Sequence, residues 1–422
     1  MLNTRRCDMD QHRSVARKHL RIGLLAVVLL STHAGIVRAQ QPAPATKPSM
    51  DIYGFTMLDM GEDLNTINPD WFDVMRPTKL PSFPGEFGEY HNLFAGVRQT
   101  RFGVKTTTPT KYGDMKTTFE FELFGVGIDA GQTTFRLRHA YGELGQFRAG
   151  QTWSPFMDPD VFPNSLEYWG PPGMVFYRNV QVAWLAKQGD TSVTIALERP
   201  GASGDNGATA GLVALQDVRS RFPWPDVTGD VKWGGHDWGY LRVAGAFRKI
   251  DWDDLVVDSI DLDGHAWGWG VNLSSNVNIG ANQKNVLKMQ AVYGHAIGNY
   301  MNDAPVDIGA ELNLGDPTHP VTGKALPVLG LLAFLDHKWN DKWSSTGGYS
   351  IIDVDNSSGQ LPNAFKRGQY ALANIIYYPV ENAYVGVEYQ WGKRTNNSDG
   401  FKQNGNKFQV SFKYNFSYKL GG

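Results

Sequence analysis

Segments of about ten residues in which apolar and polar side chains alternate fill most of this chain. Successive side chains of a strand point to opposite faces, so this period predicts strands with one apolar and one polar face. The last such segment, 408–418, is the clearest, because its polar positions separate an unbroken apolar series: Phe408, Val410, Phe412, Tyr414, Phe416 and Tyr418. The pattern predicts an all-β fold built from two-faced strands.

About sixteen such segments follow one another, starting near residues 50, 95, 115, 134, 147, 174, 191, 227, 239, 264, 286, 326, 342, 366, 383 and 406. Tight connections, such as 111–114, 144–146 and 188–190, alternate with long ones at about 61–94, 154–173, 200–226, 298–325 and 395–404. An even number of strands with short turns at one end and long loops at the other is typical of a transmembrane antiparallel β-barrel, with periplasmic turns and extracellular loops. A soluble β-sandwich is the alternative, because its strands also alternate.

Two features favour the barrel. Tryptophan and tyrosine are frequent near segment ends, where a membrane barrel places its interfacial girdle: Tyr53, Trp153, Trp233, Trp252, Trp339, Trp343, Tyr377, Tyr378 and Trp391. The alternation also continues almost to the C-terminus, which lets the last strand close on the first and leave no unpaired edge in lipid. A barrel of about sixteen strands is wide enough to enclose an aqueous channel.

The N-terminus predicts export. Residues 1–39 combine basic residues, an apolar run at 22–30 and small residues before a cleavage site at Ala39, which is the pattern of a signal peptide. A short Pro/Ala linker at 40–49 then leads into a barrel domain at 50–422. The only cysteine, Cys7, lies in the signal, which excludes disulfides, thiol catalysis and cysteine-ligated metals from the mature chain. No basic excess remains to suggest binding of nucleic acid.

Residues 97–125, VRQTRFGVKTTTPTKYGDMKTTFEFELFG, and 137–163, LRHAYGELGQFRAGQTWSPFMDPDVFP, resemble the opening of the DcaP-like porins of Gram-negative outer membranes. The resemblance implies a homotrimeric, sixteen-stranded porin that passes small anionic solutes, with dicarboxylates as the suggested class. It also implies outer-membrane lipid and the barrel-assembly machinery as partners. One departure is visible: the last aromatic residue, Tyr418, is followed by four more residues, whereas barrels of this type usually end on an aromatic residue.

Basic residues recur on the polar faces of neighbouring strands. If Phe102, Leu137 and Phe147 face lipid, alternation turns five cations toward the lumen: Arg101, Lys105, Arg136, Arg138 and Arg148. Cations on adjacent strands form a basic wall that attracts anions in a narrow channel. The alternative is that lumenal faces are charged simply because they are wet.

The connection at about 154–173 is long, rich in proline and rich in aromatic residues. Loops of this kind are usually functional or disordered, and the aromatic residues argue against disorder. We expect it to fold inward as a constriction loop, with Asp158, Asp160 and Glu167 facing the basic wall. The alternative is an outer loop that packs on a neighbouring subunit.

Signatures of catalysis are lacking: the chain has no Gly-x-Ser-x-Gly, His-Glu-x-x-His or phosphate-binding Gly-x-x-x-x-Gly-Lys-Ser/Thr motif. We therefore expect no catalytic residues, no cofactor and no metal. Two alternatives to a porin stay open, namely a barrel hydrolase assembled around scattered histidines and a non-conducting adhesin or structural barrel. The histidines available to a hydrolase are His236, His265, His295, His319 and His337.

Overall fold

The computed structural model describes residues 47–89, 91–256, 259–280 and 284–421, so the predicted signal peptide and most of the linker lie outside the described residues. The first eleven strands are β1 (Ser49–Asp63), β2 (Asn92–Gly96), β3 (Arg101–Thr110), β4 (Gly113–Phe124), β5 (Thr133–Leu144), β6 (Phe147–Trp153), β7 (Arg178–Lys187), β8 (Thr191–Glu198), β9 (Gly204–Asp205), β10 (Val218–Arg221) and β11 (Asp226–His236). The others are β12 (Gly239–Asp254), β13 (Gly264–Ile279), β14 (Asn285–His295), β15 (Ile308–Leu312), β16 (Val321–Ala325), β17 (Pro327–Asn340), β18 (Trp343–Val354), β19 (Phe365–Val380), β20 (Ala383–Asn396) and β21 (Lys402–Gly421).

Sixteen of these strands form a closed antiparallel barrel: β1, β3 to β8, β11 to β14 and β17 to β21. The barrel closes where β1 pairs with β21 on one side and with β3 on the other. Two short strands add to barrel strands that already have neighbours. Strand β2 pairs with β1, which also pairs with β3, and strand β10 pairs with β12, which also pairs with β11. The predicted all-β barrel of about sixteen strands is confirmed.

The long connections carry the remaining regular structure. Strands β9, β15 and β16 form a small separate sheet in which β15 pairs with both of the others. In the part of the chain that the structure describes, seven 3₁₀ turns occur, at Pro69–Trp71, Pro77–Lys79, Gly127–Asp129, Pro159–Val161, Gly207–Thr209, Val213–Asp217 and Gly298–Tyr300. Within the described ranges, no helix has the length and apolar character required to cross a membrane.

The two faces of the strands differ as the alternation predicts. On β21, Phe412 is 44 % exposed on the outer wall, whereas Ser411 is fully buried on the inner side. The register of β21 with β1 continues beyond the last aromatic residue, because Leu420 lies opposite Met50. Residues 419–421 therefore belong to the closing strand pair.

Three residues that we expected in the aromatic girdle lie inside the barrel instead. The hydroxyl of Tyr53 donates a hydrogen bond to Glu120 at 2.8 Å. Trp153 packs against a cluster of buried hydrophobic residues that includes Phe156 and Met157, and Tyr378 lies 3.3 Å from the side-chain amide of Asn164. Tyr53 and Tyr378 share the inner face of their strands with buried residues, so proximity to a segment end was not enough to place them in the girdle, and only Trp153 departs from the alternation of its strand. The outer wall still presents Trp233, which is exposed close to the turn between β11 and β12.

Candidate functional site

Cross-strand pairing places opposite charges side by side on the inner wall. Glu120 and Glu122 are two residues apart on β4 and therefore share a face. Glu122 lies directly opposite Arg101 of β3 on one side and Arg136 of β5 on the other. Such directly opposed pairs interact across a sheet, so the register itself fixes this row of charges.

A bulge in β5 adds another cation to the row. The register with β4 shifts so that Glu120 faces His139 and Phe121 faces Leu137, which leaves Arg138 as the extra residue. Arg138 reaches Glu120 at 2.7 Å through Nε and Glu122 at 2.7 Å through Nη1. The bulge therefore holds Arg138 on the inner side, where alternation alone had already predicted it.

The sequence pattern did not identify Arg178, the first residue of β7. Strict alternation assigns it to the outer wall, together with Val180 and Val182, which are both exposed there. The structure instead turns its guanidinium inward, 3.8 Å from Glu122 and 5.0 Å from the centre of the Trp153 ring. No period-2 argument could have found it, because Arg178 lies at the point where the strand begins.

Four guanidinium groups thus converge on one carboxylate, which we call the arginine cluster: Arg101, Arg136, Arg138 and Arg178 around Glu122. Their nearest nitrogen–oxygen distances to Glu122 are 3.3, 3.7, 2.7 and 3.8 Å, respectively. Glu122 is fully buried. Even with Glu120 included, four cations face only two anions, so the cluster keeps an excess of positive charge.

Lys105 and Arg148 do not join the arginine cluster, so the predicted basic wall divides into two parts. Lys105 is exposed, and its Nζ lies 4.8 Å from the centre of the Tyr53 ring. Arg148 forms an ion pair with Glu143 at 2.6 Å, close to the tight turn between β5 and β6. These two cations lie toward the short-turn end of their strands.

The segment 154–177 runs through the interior of the barrel. Near its start, Asp158 accepts a hydrogen bond from Tyr240 of β12 at 2.8 Å. Further along, the backbone N–H of Leu166 donates to Glu388 of β20 at 2.8 Å. Its Tyr168 hydroxyl then donates to Glu122 of β4. Strands β12, β20 and β4 lie on different sides of a closed barrel, so a segment that bonds to all three must cross its lumen.

The acidic residues of this segment do not face the arginine cluster, which corrects our expectation. Asp158 is buried and lies 3.4 Å from Arg242 of β12. Asp160 forms an ion pair with Lys232 of β11 at 2.6 Å. Both carboxylates pair with cations on the wall formed by β11 and β12. They therefore point away from the arginines on β3 and β5.

The third acidic residue of the segment, Glu167, is buried and takes part in none of the ion pairs among the described residues. It accepts hydrogen bonds from the backbone N–H groups of Met75, at 3.1 Å, and Gly170. Burial raises the pKa of the Glu167 carboxyl to about 7, and Glu388 adds to this effect, although the two N–H groups oppose it. This residue ties segments of the chain together inside the barrel.

Two further connections meet the segment 154–177 within the lumen. The guanidinium of Arg76, from the connection after β1, packs against the rings of both Trp71 and Trp169, 4.2 and 3.9 Å from their centres. The same guanidinium forms an ion pair with Asp303, from the connection after β14, at 2.8 Å. Tyr168 stacks on Phe124 with ring centres 3.9 Å apart, which places its hydroxyl at the arginine cluster.

A cavity of about 300 Å³ lies beside the arginine cluster. Its lining includes Arg136 and Arg178, the ring of Tyr168, and the side chains of Asn299 and Asn302. The Nη1 of Arg178 is buried and has no hydrogen-bond partner among the described residues. A concave site with a few convergent polar groups and an unused donor has the character of a small-molecule site.

Comparison with known proteins agrees with this geometry. The family model described as DcaP outer membrane protein matches residues 82–235. The resemblance to DcaP-like porins is confirmed. No curated protein matches the chain. The chain is thus an integral β-barrel of the outer membrane, similar to known channels.

Three solved structures are similar over most of their length. The crystal structure of the outer membrane channel DcaP of Acinetobacter baumannii gives a TM-score of 0.69 at 20 % identity, over 89 % of this chain and 99 % of that one. An anion-selective porin from Comamonas acidovorans gives 0.55 at 10 % identity, over 88 % and 100 %. The trimer form of OmpT from Vibrio cholerae gives 0.52 at 12 % identity, over 88 % and 100 %. At these identities the likeness concerns the fold.

Proposed function

We propose that this barrel is a passive diffusion channel for small anionic solutes, with dicarboxylate-like anions as its preferred class. The observation that carries the proposal is the arginine cluster beside the cavity, where a buried nitrogen of Arg178 has no partner among the described residues. An anionic oxygen would supply that partner through a charge-assisted hydrogen bond. The mature chain as a whole is acidic, but charges farther away than a Debye length of about 8 Å are largely screened.

The dicarboxylate class follows from the number and placement of the cations. Arg136 and Arg178 both line the cavity, and each guanidinium can bind a carboxylate through two N–H groups. Two separate guanidinium groups match a solute with two carboxylates better than a solute with one. The resemblance to DcaP-like porins supports the same class.

We also propose that the segment 154–177 narrows the channel and that the protein is a homotrimer. The hydrogen bonds of the segment to β12, β20 and β4 support the first point. The trimer form of the similar OmpT barrel and the resemblance to trimeric porins support the second. Passive diffusion needs neither a catalytic residue nor a cofactor, and the proposal uses neither.

Reversal potentials in planar bilayers, measured across a salt gradient, test the proposal. We expect an anion-selective wild-type channel that succinate blocks. The double variant Arg136→Gln/Arg178→Gln should lose most of the block and shift toward cation selectivity. Arg148→Gln is the matched control, because Arg148 is a lumenal arginine already paired with Glu143 away from the cavity.

Three results would contradict the proposal. A cation-selective wild-type channel would exclude anion preference. An unchanged reversal potential in the double variant would show that these arginines do not face the permeation path. Absence of conductance from the assembled barrel would favour a hydrolase or a structural barrel.

A further inference from the structure

Glu122 has more cationic partners than a simple ion pair requires. It is fully buried, and guanidinium groups from β3, β5 and β7 lie within 4 Å of its carboxylate. The hydroxyl of Tyr168 donates a further hydrogen bond to the same carboxylate. No solute can reach a carboxylate enclosed in this way, so Glu122 acts through its neighbours.

The cations that Glu122 holds differ in their access to the lumen. The side chains of Arg101 and Arg136 are 25 % and 26 % exposed, whereas those of Arg138 and Arg178 are only 5 % and 6 % exposed. Like charges at these separations repel one another, and a long side chain with a free end moves into solvent unless it is held. The buried carboxylate opposes both effects and keeps the exposed guanidinium groups against the wall.

Tyr168 connects this arrangement to the segment 154–177. Its hydroxyl oxygen accepts from Arg136 at 3.3 Å and from Arg138 at 3.5 Å while its proton is donated to Glu122. The ring also lines the cavity. One residue of the segment therefore fixes the guanidinium of Arg136 relative to the cavity wall.

We infer that Glu122 is a positioning residue, which together with Tyr168 sets the placement of Arg136 and Arg178 for binding of a carboxylate solute. The inference rests on the proposed function. A positioning role and a simple charge effect predict opposite changes in anion binding when Glu122 is neutralised. Charge alone predicts that removal of a carboxylate from a cationic site strengthens anion binding, whereas positioning predicts that binding weakens although the positive charge increases.

Glu122→Gln separates the two explanations, because glutamine has the same shape and lacks the charge. We expect the reversal potential to stay anion-selective or to shift further toward anions, while the dissociation constant for succinate block rises about tenfold or more, as expected for loss of a hydrogen bond to a charged group. Glu143→Gln is the matched control, since it removes a lumenal carboxylate that pairs with Arg148 away from the cavity. Its dissociation constant should stay close to the wild-type value.

Tyr168→Phe provides a second test that leaves the charge unchanged. Positioning predicts weaker block with an unaltered reversal potential, and charge alone predicts no change in either. This variant decides the question even if Glu122→Gln fails to assemble, which the heat-dependent mobility of the folded barrel on gels would show.

The outcomes for the inference and for the proposed function are distinguishable. If succinate blocks the wild type and block is stronger in Glu122→Gln, or unchanged in Tyr168→Phe, the positioning role is refuted and the anion channel stands. If the wild-type channel is cation-selective and succinate does not block it, the proposed function fails and the positioning role fails with it.

Discussion

Replacement of Asp158 by alanine should release the start of the segment 154–177 from the barrel wall. The carboxylate is 1 % exposed and accepts hydrogen bonds from the hydroxyl groups of Tyr240, at 2.8 Å, and Ser274, at 2.5 Å. It also lies 3.4 Å from Arg242. Removal of one member of a buried charged network typically costs about 3–5 kcal/mol, because the remaining polar groups stay buried without their partner. Arg242 keeps Asp230 at 3.1 Å, which favours the lower part of that range.

The assay compares Asp158→Ala with Asp160→Ala by single-channel recording. Asp160 lies two residues away on the same segment, but its side chain is 51 % exposed and its ion pair with Lys232 is worth about 0–1 kcal/mol. We expect Asp158→Ala to increase both the mean conductance and the open-channel noise, and Asp160→Ala to behave like the wild type. Identical recordings from the two variants would show that the hydrogen bonds of Asp158 do not hold the segment in the conducting channel.

Three further predictions concern the wall, the pH dependence and the packing of the inner segments. Phe119→Arg should destabilise the barrel by about 2–4 kcal/mol, because this side chain is half exposed on the lipid-facing wall. Thr118→Arg, on the lumenal face, is the control and should unfold at a urea concentration similar to that of the wild type. Burial raises the pKa of Glu167 from 4.5 to about 7. The stability that the protonated carboxyl contributes is therefore fully present below pH 4.5 and is lost as the pH rises through 7. In urea titrations at pH 4.5 and 8, Glu167→Gln should abolish this pH-dependent part of the free energy of unfolding. Arg76→Lys keeps the charge opposite Asp303 but loses the contacts of the guanidinium with the rings of Trp71 and Trp169, which should cost about 1–2 kcal/mol and accelerate proteolysis of the connection after β1.

The barrel was predictable because its strands obey a simple period. Each of the sixteen predicted segments corresponds to a barrel strand that starts within a few residues of the expected position, with β2 and β3 sharing the second segment. A lipid-facing wall imposes an apolar side chain at every second position, and the tight turns fix the register between strands. The same argument correctly directs Arg101, Arg136 and Arg138 inward.

The site was less predictable because alternation describes isolated strands and not their ends or interruptions. Arg178 is at the start of β7, and the bulge at Arg138 also brings His139 to the inner side, opposite Glu120. Tyr240, which donates to Asp158, and Met75, which donates to Glu167, are far away in sequence, so no local pattern contains these contacts. An inner loop at about 154–173 was identifiable by its composition, whereas the wall on which each of its residues packs was not.

The contrast between two inner arginines shows why lumenal charge alone does not determine selectivity. Arg248 also points into the barrel, but it is 1 % exposed and lies 3.2 Å from both Asp226 and Asp307. These two carboxylates neutralise its charge, and the ion pairs anchor the inner connections. Arg136 remains about one-quarter exposed and lies 3.7 Å from a carboxylate that other arginines share. An ion in the channel interacts with cations that keep both solvent access and an excess of positive charge, because a neutralised buried pair contributes little field at a distance. Selectivity in this barrel should therefore follow the few arginines that the inner connections leave uncovered, and a substitution that uncovers a buried ion pair should change it more than one that adds charge at the rim.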